Sequence, residues 1–264
     1  MTSLRVALLQ GPAGSPRSTD DGLAALDDAA RRAAARGARL LVTPELSLTG
    51  YALGERVAAL AEAADGAAAR EAARIAAAHG IAVVYGYPER DGEAVYNSVA
   101  LIGPDGQTLA GYRKTHLYGG WEQAHFTQGG RLVVQADLEG VRIGLLVCYD
   151  VEFPETVRAH ALAGTELLVA PTALMRPYEI VAETLVPARA WESQLYVAYV
   201  NRLGTEGEFD FAGLSCLAAP DGTVPVRAGR GEELLIADVD TGRLHASRAE
   251  NPYLGDRRPG LYAV

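Results

Sequence analysis

The sequence contains few residues of the types that bind metals or form disulfides. Its 264 residues include two cysteines, five histidines and two methionines. Two cysteines cannot build a disulfide framework, and the absence of a close cysteine pair or a histidine-rich cluster argues against zinc. We therefore expect no metal and no other cofactor. A redox or metal-binding cysteine protein is disfavoured for the same reason.

Long apolar runs and basic runs are also missing. No stretch approaches the roughly 18 consecutive apolar residues of a transmembrane helix, and the short apolar run near the N-terminus favours a strand over a signal peptide. The net charge is −9 and the isoelectric point is near 5.1. This charge disfavours nucleic acid or an anionic membrane as a partner. We expect a cytoplasmic protein.

The composition is that of a globular protein, with 49% hydrophobic and 22% charged residues. The length fits one large α/β domain spanning 1–264. Apolar runs predict strands at 4–10, 40–43, 81–87, 94–102, 108–112, 132–136, 141–147, 166–170, 196–200, 212–218 and 233–239. Helices are predicted at 20–36 (capped by Asp20), 55–64, 67–79, 154–163 and 178–194. The final stretch, about 241–264, is predicted to be an arm.

Two parts of the chain repeat a similar pattern. The segment 35–45 resembles 162–172, and the Pro-Asp-Gly turn at 104–106 recurs at 220–222. Strands buried on both faces need helices outside and a second sheet inside. We therefore predict an α/β fold that forms a four-layer α-β-β-α sandwich of two pseudo-equivalent halves.

Three reactive side chains each follow an apolar segment: Glu45 after 40–43, Lys114 after 108–112 and Cys148 after 141–147. A free thiol has a pKa of about 8.5, so it needs a base or a cation to become a nucleophile. Glu45 can take the thiol proton, and Lys114 can stabilise a carbonyl oxygen as it becomes an oxyanion. The backbone N–H of Tyr149 is the natural second donor. Together these groups suffice for acyl transfer through a thioester.

Each of the three residues also has a structural interpretation. An isolated cysteine at a strand end is usually a small core residue. A glutamate after Thr-Pro is usually solvated or caps a helix, and a lone lysine is usually a surface charge. The function therefore depends on the three residues meeting in one pocket.

The local contexts of these residues resemble the nitrilase superfamily of carbon–nitrogen hydrolases. The matching stretches are 44–51, 112–117 and 148–155, and the similarity continues through 168–172 and 188–192. The resemblance implies the sandwich fold and a Glu–Lys–Cys triad at Glu45, Lys114 and Cys148. It also implies that Glu122 is a second glutamate that positions substrate, although a plain loop carboxylate is the alternative. It further implies a homodimer or a higher homo-oligomer, formed through the helix after the nucleophile and the C-terminal arm; the arm could instead pack on its own subunit.

A further set of stretches narrows the resemblance: 61–66, 81–90, 95–99, 112–117, 148–155 and 171–175. In these stretches the sequence is similar to bacterial 5-aminopentanamidases (δ-aminovaleramide amidases). The resemblance implies hydrolysis of a short linear primary amide with a terminal cation, such as 5-aminopentanamide or 4-guanidinobutanamide, to the carboxylate and ammonia. A nitrilase or an N-carbamoyl hydrolase using the same triad is the alternative. A non-enzymatic scaffold is disfavoured because all three triad residues are present.

The far end of the substrate is less constrained by the sequence. Trp121, in a predicted loop, can stack on a guanidinium or simply pack in that loop. Thr172, in one of the matching stretches, is a further substrate-binding candidate. A terminal cation needs a carboxylate or a carbonyl as its partner, and the sequence offers the carboxylates Asp150, Glu152, Glu179, Glu183 and Asp210. Asp150 and Glu152 can equally make structural hydrogen bonds.

Overall fold

Two six-stranded β-sheets face each other in the computed structural model, which describes residues 2–262. The strands are β1 (Ser3–Gln10), β2 (Leu40–Val42), β3 (Ala82–Asp91), β4 (Ala94–Ile102), β5 (Thr108–Arg113), β6 (Gln135–Leu138), β7 (Val141–Leu145), β8 (Leu167–Thr172), β9 (Tyr196–Asn201), β10 (Leu203–Glu206), β11 (Phe209–Ala212), β12 (Cys216–Ala218), β13 (Val226–Arg227) and β14 (Glu233–Asp240). The helices are α1 (Thr19–Ala35), α2 (Arg56–Leu60), α3 (Ala67–His79), α4 (Gly119–His125), α5 (Pro154–Leu162), α6 (Val186–Ser193) and α7 (Thr241–Glu250). Short 3-10 turns cover Cys148–Glu152 and Pro259–Leu261, and a π turn covers Val181–Leu185.

The two sheets have the same topology. The first has the order β14-β1-β2-β3-β4-β5 and the second has the order β6-β7-β8-β9-β12-β13. In each sheet, the second, third and fourth strands run parallel and the outer strands pair antiparallel. The predicted pair of equivalent halves is therefore confirmed. Strand β14 returns from the C-terminal part of the chain to complete the first sheet.

Strand β1 shows how the layers are built. Its side chains alternate: Leu4, Val6 and Leu8 belong to the cluster between the sheets, while Ala7 and Leu9 pack with residues of α1 and α3. This alternation follows from the two-residue repeat of a β-strand. On the other side, α5 and α6 pack together and α6 covers β9 and β12. The result is the predicted α-β-β-α sandwich.

Several predicted boundaries need correction near the ends of elements. Helix α1 is capped by Ser18, whose side chain accepts a hydrogen bond from the Asp21 N–H, rather than by Asp20. Helix α2 ends at Leu60 because the backbone is extended at Ala61. The backbone of Glu62 then forms an isolated β-bridge with Glu89 of β3. Strand β6 begins at Gln135, so the predicted strand at 132–136 is displaced towards the C-terminus.

Three longer segments also differ from the prediction. The segment 178–194 is interrupted by the π turn because Pro187 has no N–H for the regular helical bond, and the Val186 N–H bonds to the Val181 carbonyl instead. The segment 212–218 divides into β11 and β12, since Gly213 and Leu214 both have positive φ. The predicted loop at 119–122 is the first part of α4.

The predicted C-terminal arm begins as a packed helix. Asp240 caps α7 by accepting hydrogen bonds from the N–H groups of Gly242 and Arg243, and Leu244 is fully buried in the core. Only the segment after α7 runs over the surface, and residues 263–264 of the predicted arm lie outside the described residues. Among residues 2–262, none of the helices has the length and apolar character that crossing a membrane requires.

Gly86 in β3 allows a close approach between the first sheet and the loop that follows β2. A Cβ atom at this position would lie 2.4 Å from the backbone nitrogen of Leu46. The backbone of Gly86 also bonds to that loop: its N–H donates to Ser47 Oγ at 3.1 Å, and its carbonyl accepts from the Leu48 N–H at 3.2 Å. Any side chain here must therefore displace the loop that carries Glu45.

We predict that Gly86→Ala lowers the free energy of unfolding by about 1–3 kcal/mol, the usual cost of overpacking a rigid site. Gly111→Ala is the matched control, because Gly111 lies in β5 of the same sheet and a Cβ there would meet nothing within 4 Å. Urea unfolding of both variants measures the difference. Equal stabilities of the two variants would contradict the close approach.

Candidate active site

The structure brings Glu45, Lys114 and Cys148 together beyond the ends of β2, β5 and β7. Lys114 Nζ donates a hydrogen bond to Glu45 Oε1 at 2.8 Å. Cys148 lies close enough for the charges of both residues to influence the pKa of its thiol. The side chains of Glu45 and Lys114 are fully buried, and Cys148 is 8% exposed. The alternatives of a solvated glutamate and a surface lysine do not hold.

A second carboxylate completes the surroundings of Lys114. Glu122 in α4 accepts a hydrogen bond from Lys114 Nζ at 2.6 Å, so the ammonium lies between two buried carboxylates. Tyr51 Oη donates to the same oxygen of Glu122 at 2.8 Å, and the Tyr118 N–H donates to the other oxygen at 2.7 Å. The two carboxylates hold the pKa of Lys114 well above its usual value in spite of the burial that opposes it.

The two carboxylate oxygens of Glu45 differ in their hydrogen bonding. Oε1 accepts hydrogen bonds from Lys114 Nζ and from Asn97 Nδ2, the latter at 2.6 Å. Oε2 is buried and has no hydrogen-bond partner within residues 2–262. Burial raises the pKa of Glu45 to about 7; Lys114 opposes this rise and Glu122 adds to it. The group is thus poised to exchange a proton near neutral pH.

Cys148 begins a 3-10 turn in an unusual backbone conformation. Its φ is +47°, which is rare for a residue other than glycine, and strained conformations of this kind cluster at functional sites. The N–H of Tyr149 lies in the first turn, where no carbonyl of the same helix is available to it. Burial and the charge of Glu45 raise the pKa of the thiol, whereas Lys114 lowers it. The thiol therefore needs a base close by.

The cavity next to Cys148 has a volume of about 290 Å³. It is lined by Tyr118, Cys148, Tyr149, Glu152, Ala173, Leu174, Met175, Tyr178, Ile180, Val181 and Leu185. Its wall is thus mainly aromatic and aliphatic, with one carboxylate, that of Glu152. Burial raises the pKa of Glu152. Larger cavities occur elsewhere, but the residues that line them do not include Cys148.

Asp150 lies outside this cavity. Its Oδ1 accepts hydrogen bonds from Thr115 Oγ1 and from the N–H of His116, and its Oδ2 accepts from Tyr112 Oη and the Val147 N–H. Asp150 is fully buried and joins the loop after Lys114 to the turn that contains Cys148. Its predicted contact with substrate is not supported by this placement, because its oxygens are already used within the protein.

Trp121 and Thr172 also lie outside the residues that line the cavity. The Trp121 ring stacks on Tyr51 with 4.8 Å between ring centroids and contacts Phe209, so the packing alternative has structural support, and a contact with substrate stays a prediction. The Thr172 carbonyl accepts from the Glu45 N–H at 3.4 Å, and its side chain bonds to the Ala170 carbonyl. Thr172 thus supports the loop that carries Glu45.

Four other carboxylates were candidates for binding a terminal cation. Glu179 lies 3.9 Å from Arg230, Asp210 lies 3.6 Å from Arg176, and Glu183 is exposed on the π turn. None of these three lines the cavity, whereas Glu152 does. Within residues 2–262, no three His, Cys, Asp or Glu side chains are grouped closely enough to hold a metal ion.

Asn97, Tyr51, Tyr118 and Tyr178 were not predicted from the sequence, and Tyr149 was predicted for its backbone N–H. The sequence does indicate that Asn97 is buried. It lies two residues from both Val95 and Val99 in β4 and so shares their buried face. An amide on a buried strand face needs a partner. Tyr51 gave no comparable signal, since its contact with Glu122 joins residues far apart in the chain.

Comparisons with known proteins agree with this geometry. A family model described as carbon–nitrogen hydrolase matches residues 5–249. The chain is 48% identical over 265 residues to a protein of Pseudomonas protegens named "Hydrolase in pqqF 5'region", covering 98% of this chain and 91% of that protein. It is 40% identical over 220 residues to an (R)-stereoselective amidase of a Pseudomonas species, covering 83% and 79%.

A solved structure is similar along almost the whole chain. A double variant of the amidase from Nesterenkonia sp. AN1, in complex with acrylamide, has a TM-score of 0.89 and 37% sequence identity, covering 98% of this chain and 95% of that one. Another structure of that amidase shows the result of Michael addition of acrylamide at its active-site cysteine.

Proposed function

The chain belongs to the carbon–nitrogen hydrolase family and is an amidase, and we propose that it hydrolyses a short linear primary amide with a terminal cation through a thioester on Cys148. The observation that carries the proposal is the contact of Lys114 with both Glu45 and Glu122 beside that thiol. The products are the carboxylate and ammonia.

Acylation begins when Glu45 takes the proton of the Cys148 thiol. The sulfur attacks the amide carbonyl, and the resulting oxyanion is stabilised by Lys114 Nζ and the Tyr149 N–H. Glu45 then gives the proton to the departing nitrogen, the C–N bond breaks, and ammonia leaves a thioester on Cys148.

Deacylation uses the same groups in the same roles. Glu45 takes a proton from water, the hydroxide attacks the thioester carbonyl, and the C–S bond breaks. Glu45 returns this proton to the sulfur, and the product leaves as the carboxylic acid, which loses its proton to solvent and becomes the carboxylate. Glu45 must be ionised to act as a base, so kcat/KM falls as the pH drops through its pKa of about 7 and is fully developed above it.

Glu122 serves this cycle without exchanging a proton with the substrate. It holds the ammonium of Lys114 in place through a second hydrogen bond, and its charge raises the pKa of Glu45. Because Tyr51 and the Tyr118 N–H satisfy its oxygens, Glu122 remains fixed in this position.

The cavity supports a substrate with a cationic end. Tyr118, Tyr149 and Tyr178 present aromatic rings, which attract cations. Glu152 lies on the same wall, and its carboxylate makes no hydrogen bond or ion pair with any group among residues 2–262. A terminal ammonium or guanidinium would supply the partner for this partly buried carboxylate.

We predict that 5-aminopentanamide and 4-guanidinobutanamide are hydrolysed with a higher kcat/KM than the neutral pentanamide. Glu152→Gln should raise KM for the cationic amides by about 10–100-fold, the value of a hydrogen bond between charged groups, and should leave pentanamide unchanged. Ammonia release measures each rate. Glu179→Gln is the matched control, since Glu179 lies outside the cavity lining.

Two outcomes of this experiment would contradict the proposal. One is an equal rise in KM for neutral and cationic amides in Glu152→Gln. That result would mean that the charge of Glu152 does not bind the cationic end of the substrate. The other is faster ammonia release from a nitrile or an N-carbamoyl amino acid of the same length, which would favour an alternative chemistry on the same residues.

We also propose a homodimer or a multiple of one, formed through α5 and the C-terminal segment. Apart from Leu109, the exposed large apolar side chains of residues 2–262 are Leu162, Tyr178, Ile180, Tyr253, Leu261 and Tyr262. A groove of about 760 Å³ lies between the start of α5 and residues 250–262. Leu162 at the end of α5 and Tyr253, Leu261 and Tyr262 in the C-terminal segment are thus exposed apolar side chains on the two proposed interface segments, and such side chains favour association. Light scattering after size exclusion should give a dimer or a multiple of it; a monomer at tens of micromolar would contradict this.

A further inference from the structure

A buried ion pair lies beneath the loop that connects Glu45 to Tyr51. Arg202 follows β9 and Glu206 ends β10, and Arg202 Nε donates to Glu206 Oε1 at 2.6 Å. Arg202 is 5% exposed and Glu206 is 4% exposed. Neither residue lines the cavity next to Cys148, so neither is placed to touch the substrate.

Arg202 binds the first end of this loop through its backbone. Its Nη1 donates to the carbonyl of Glu45 at 3.0 Å and to that of Leu46 at 3.3 Å, and its Nη2 donates to the Gly14 carbonyl at 3.1 Å. Leu46 has a φ of +48°, a conformation that is costly for leucine and needs support from its surroundings. The guanidinium supplies that support directly beside the proposed base.

Glu206 binds the other end of the loop. Its Oε2 accepts from the N–H groups of Tyr51 at 2.7 Å and Ala52 at 3.2 Å, and from Ser15 Oγ. The Tyr51 side chain then donates to Glu122. The ion pair is therefore connected to both carboxylates that bind Lys114: to Glu45 through Arg202 and to Glu122 through Tyr51.

We propose that Arg202 and Glu206 are positioning residues that hold Glu45 and Glu122 against Lys114. This inference rests on the proposed function, in which Glu45 is the base. The planar guanidinium donates to Glu206 and to three carbonyls in fixed directions, which a lysine cannot reproduce. A displacement of about 1 Å in a catalytic group can cost about 100-fold in rate.

The contacts of Glu45 define what displacement should do. Its bonds with Lys114 and Asn97 lower its pKa, whereas burial raises it. If the loop shifts, the lowering contacts weaken while the burial remains, so the pKa rises. The acid limb of kcat/KM should then move from about pH 7 to higher pH. KM should change little, because substrate contacts are retained.

The proposal is tested by measuring kcat and KM of Arg202→Lys and Glu206→Gln with 5-aminopentanamide from pH 5 to 9. Thermal melting of each variant shows whether it is folded. We expect kcat at neutral pH to fall by about 100-fold, the acid limb to move up by roughly one pH unit, and KM to stay within about twofold of wild type. Glu206→Gln keeps its shape and a carbonyl acceptor for the Tyr51 N–H, so it carries the test if Arg202→Lys does not fold.

Arg248→Lys is the matched control. Arg248 also donates to two backbone carbonyls, those of Gln194 and Thr165, but has no contact with the loop from Glu45 to Tyr51. Arg248→Lys should keep the wild-type kcat and the wild-type acid limb of kcat/KM even if its melting temperature falls. An equal kinetic loss in Arg248→Lys would overturn the proposal, because general destabilisation would then explain the effect.

Three further outcomes would also overturn the proposal. The first is folded Arg202 and Glu206 variants with the wild-type kcat and the wild-type acid limb of kcat/KM, and the second is a rise in KM with kcat unchanged. The third is failure of both variants to fold, which would assign the pair to stability alone.

Failure of the proposed function gives a different result. In that case Glu45→Gln keeps its activity, or the wild-type enzyme has no acid limb near pH 7.

Discussion

The position of one buried ammonium between two buried carboxylates is the constraint on which the rest of the site depends. Lys114 bonds to Glu45 and Glu122, and all three side chains are fully buried. Burying charges is costly unless each is paired and hydrogen-bonded. Burial raises the pKa of Glu45 to about 7. Lys114 opposes this rise, but one cation cannot fully neutralise two carboxylates, and the charge of Glu122 adds to the rise. The same arrangement keeps Lys114 protonated, ready to stabilise an oxyanion.

The fold supplies this arrangement through its paired sheets. Glu45 and Lys114 follow strands of the first sheet, and Cys148 follows a strand of the second, so the three meet where the sheets face each other. Hydrogen bonds then join the halves. Thr172 of the second sheet accepts from the Glu45 N–H, and Asp150 binds the loop after Lys114. Both residues therefore hold the loops that carry the catalytic candidates.

Local signals explain what could be predicted from the sequence. Apolar runs identified the main strands, and the matching patterns around Glu45 and Leu168 predicted two similar halves. The hydrogen-bond partners of the charged groups were harder to predict, because they depend on how segments far apart in the chain come together. Arg202 contacts the carbonyl of a residue 157 positions away, and Tyr51 contacts Glu122 across 71 positions. For the same reason the sequence did not distinguish Glu152, which lines the cavity, from Asp150, which is enclosed in hydrogen bonds.

In the proposed mechanism, Cys148 carries the acyl group between the two half-reactions. Intact-mass spectrometry after millisecond acid quenching of the enzyme with 5-aminopentanamide tests it most directly. We expect a mass increase equal to the acyl group, which should be present in Cys216→Ala and absent in Cys148→Ala. Peptide mapping of the quenched enzyme should locate this increase on the peptide that contains Cys148. Continued ammonia release by Cys148→Ala, or an adduct on any other residue, would contradict it.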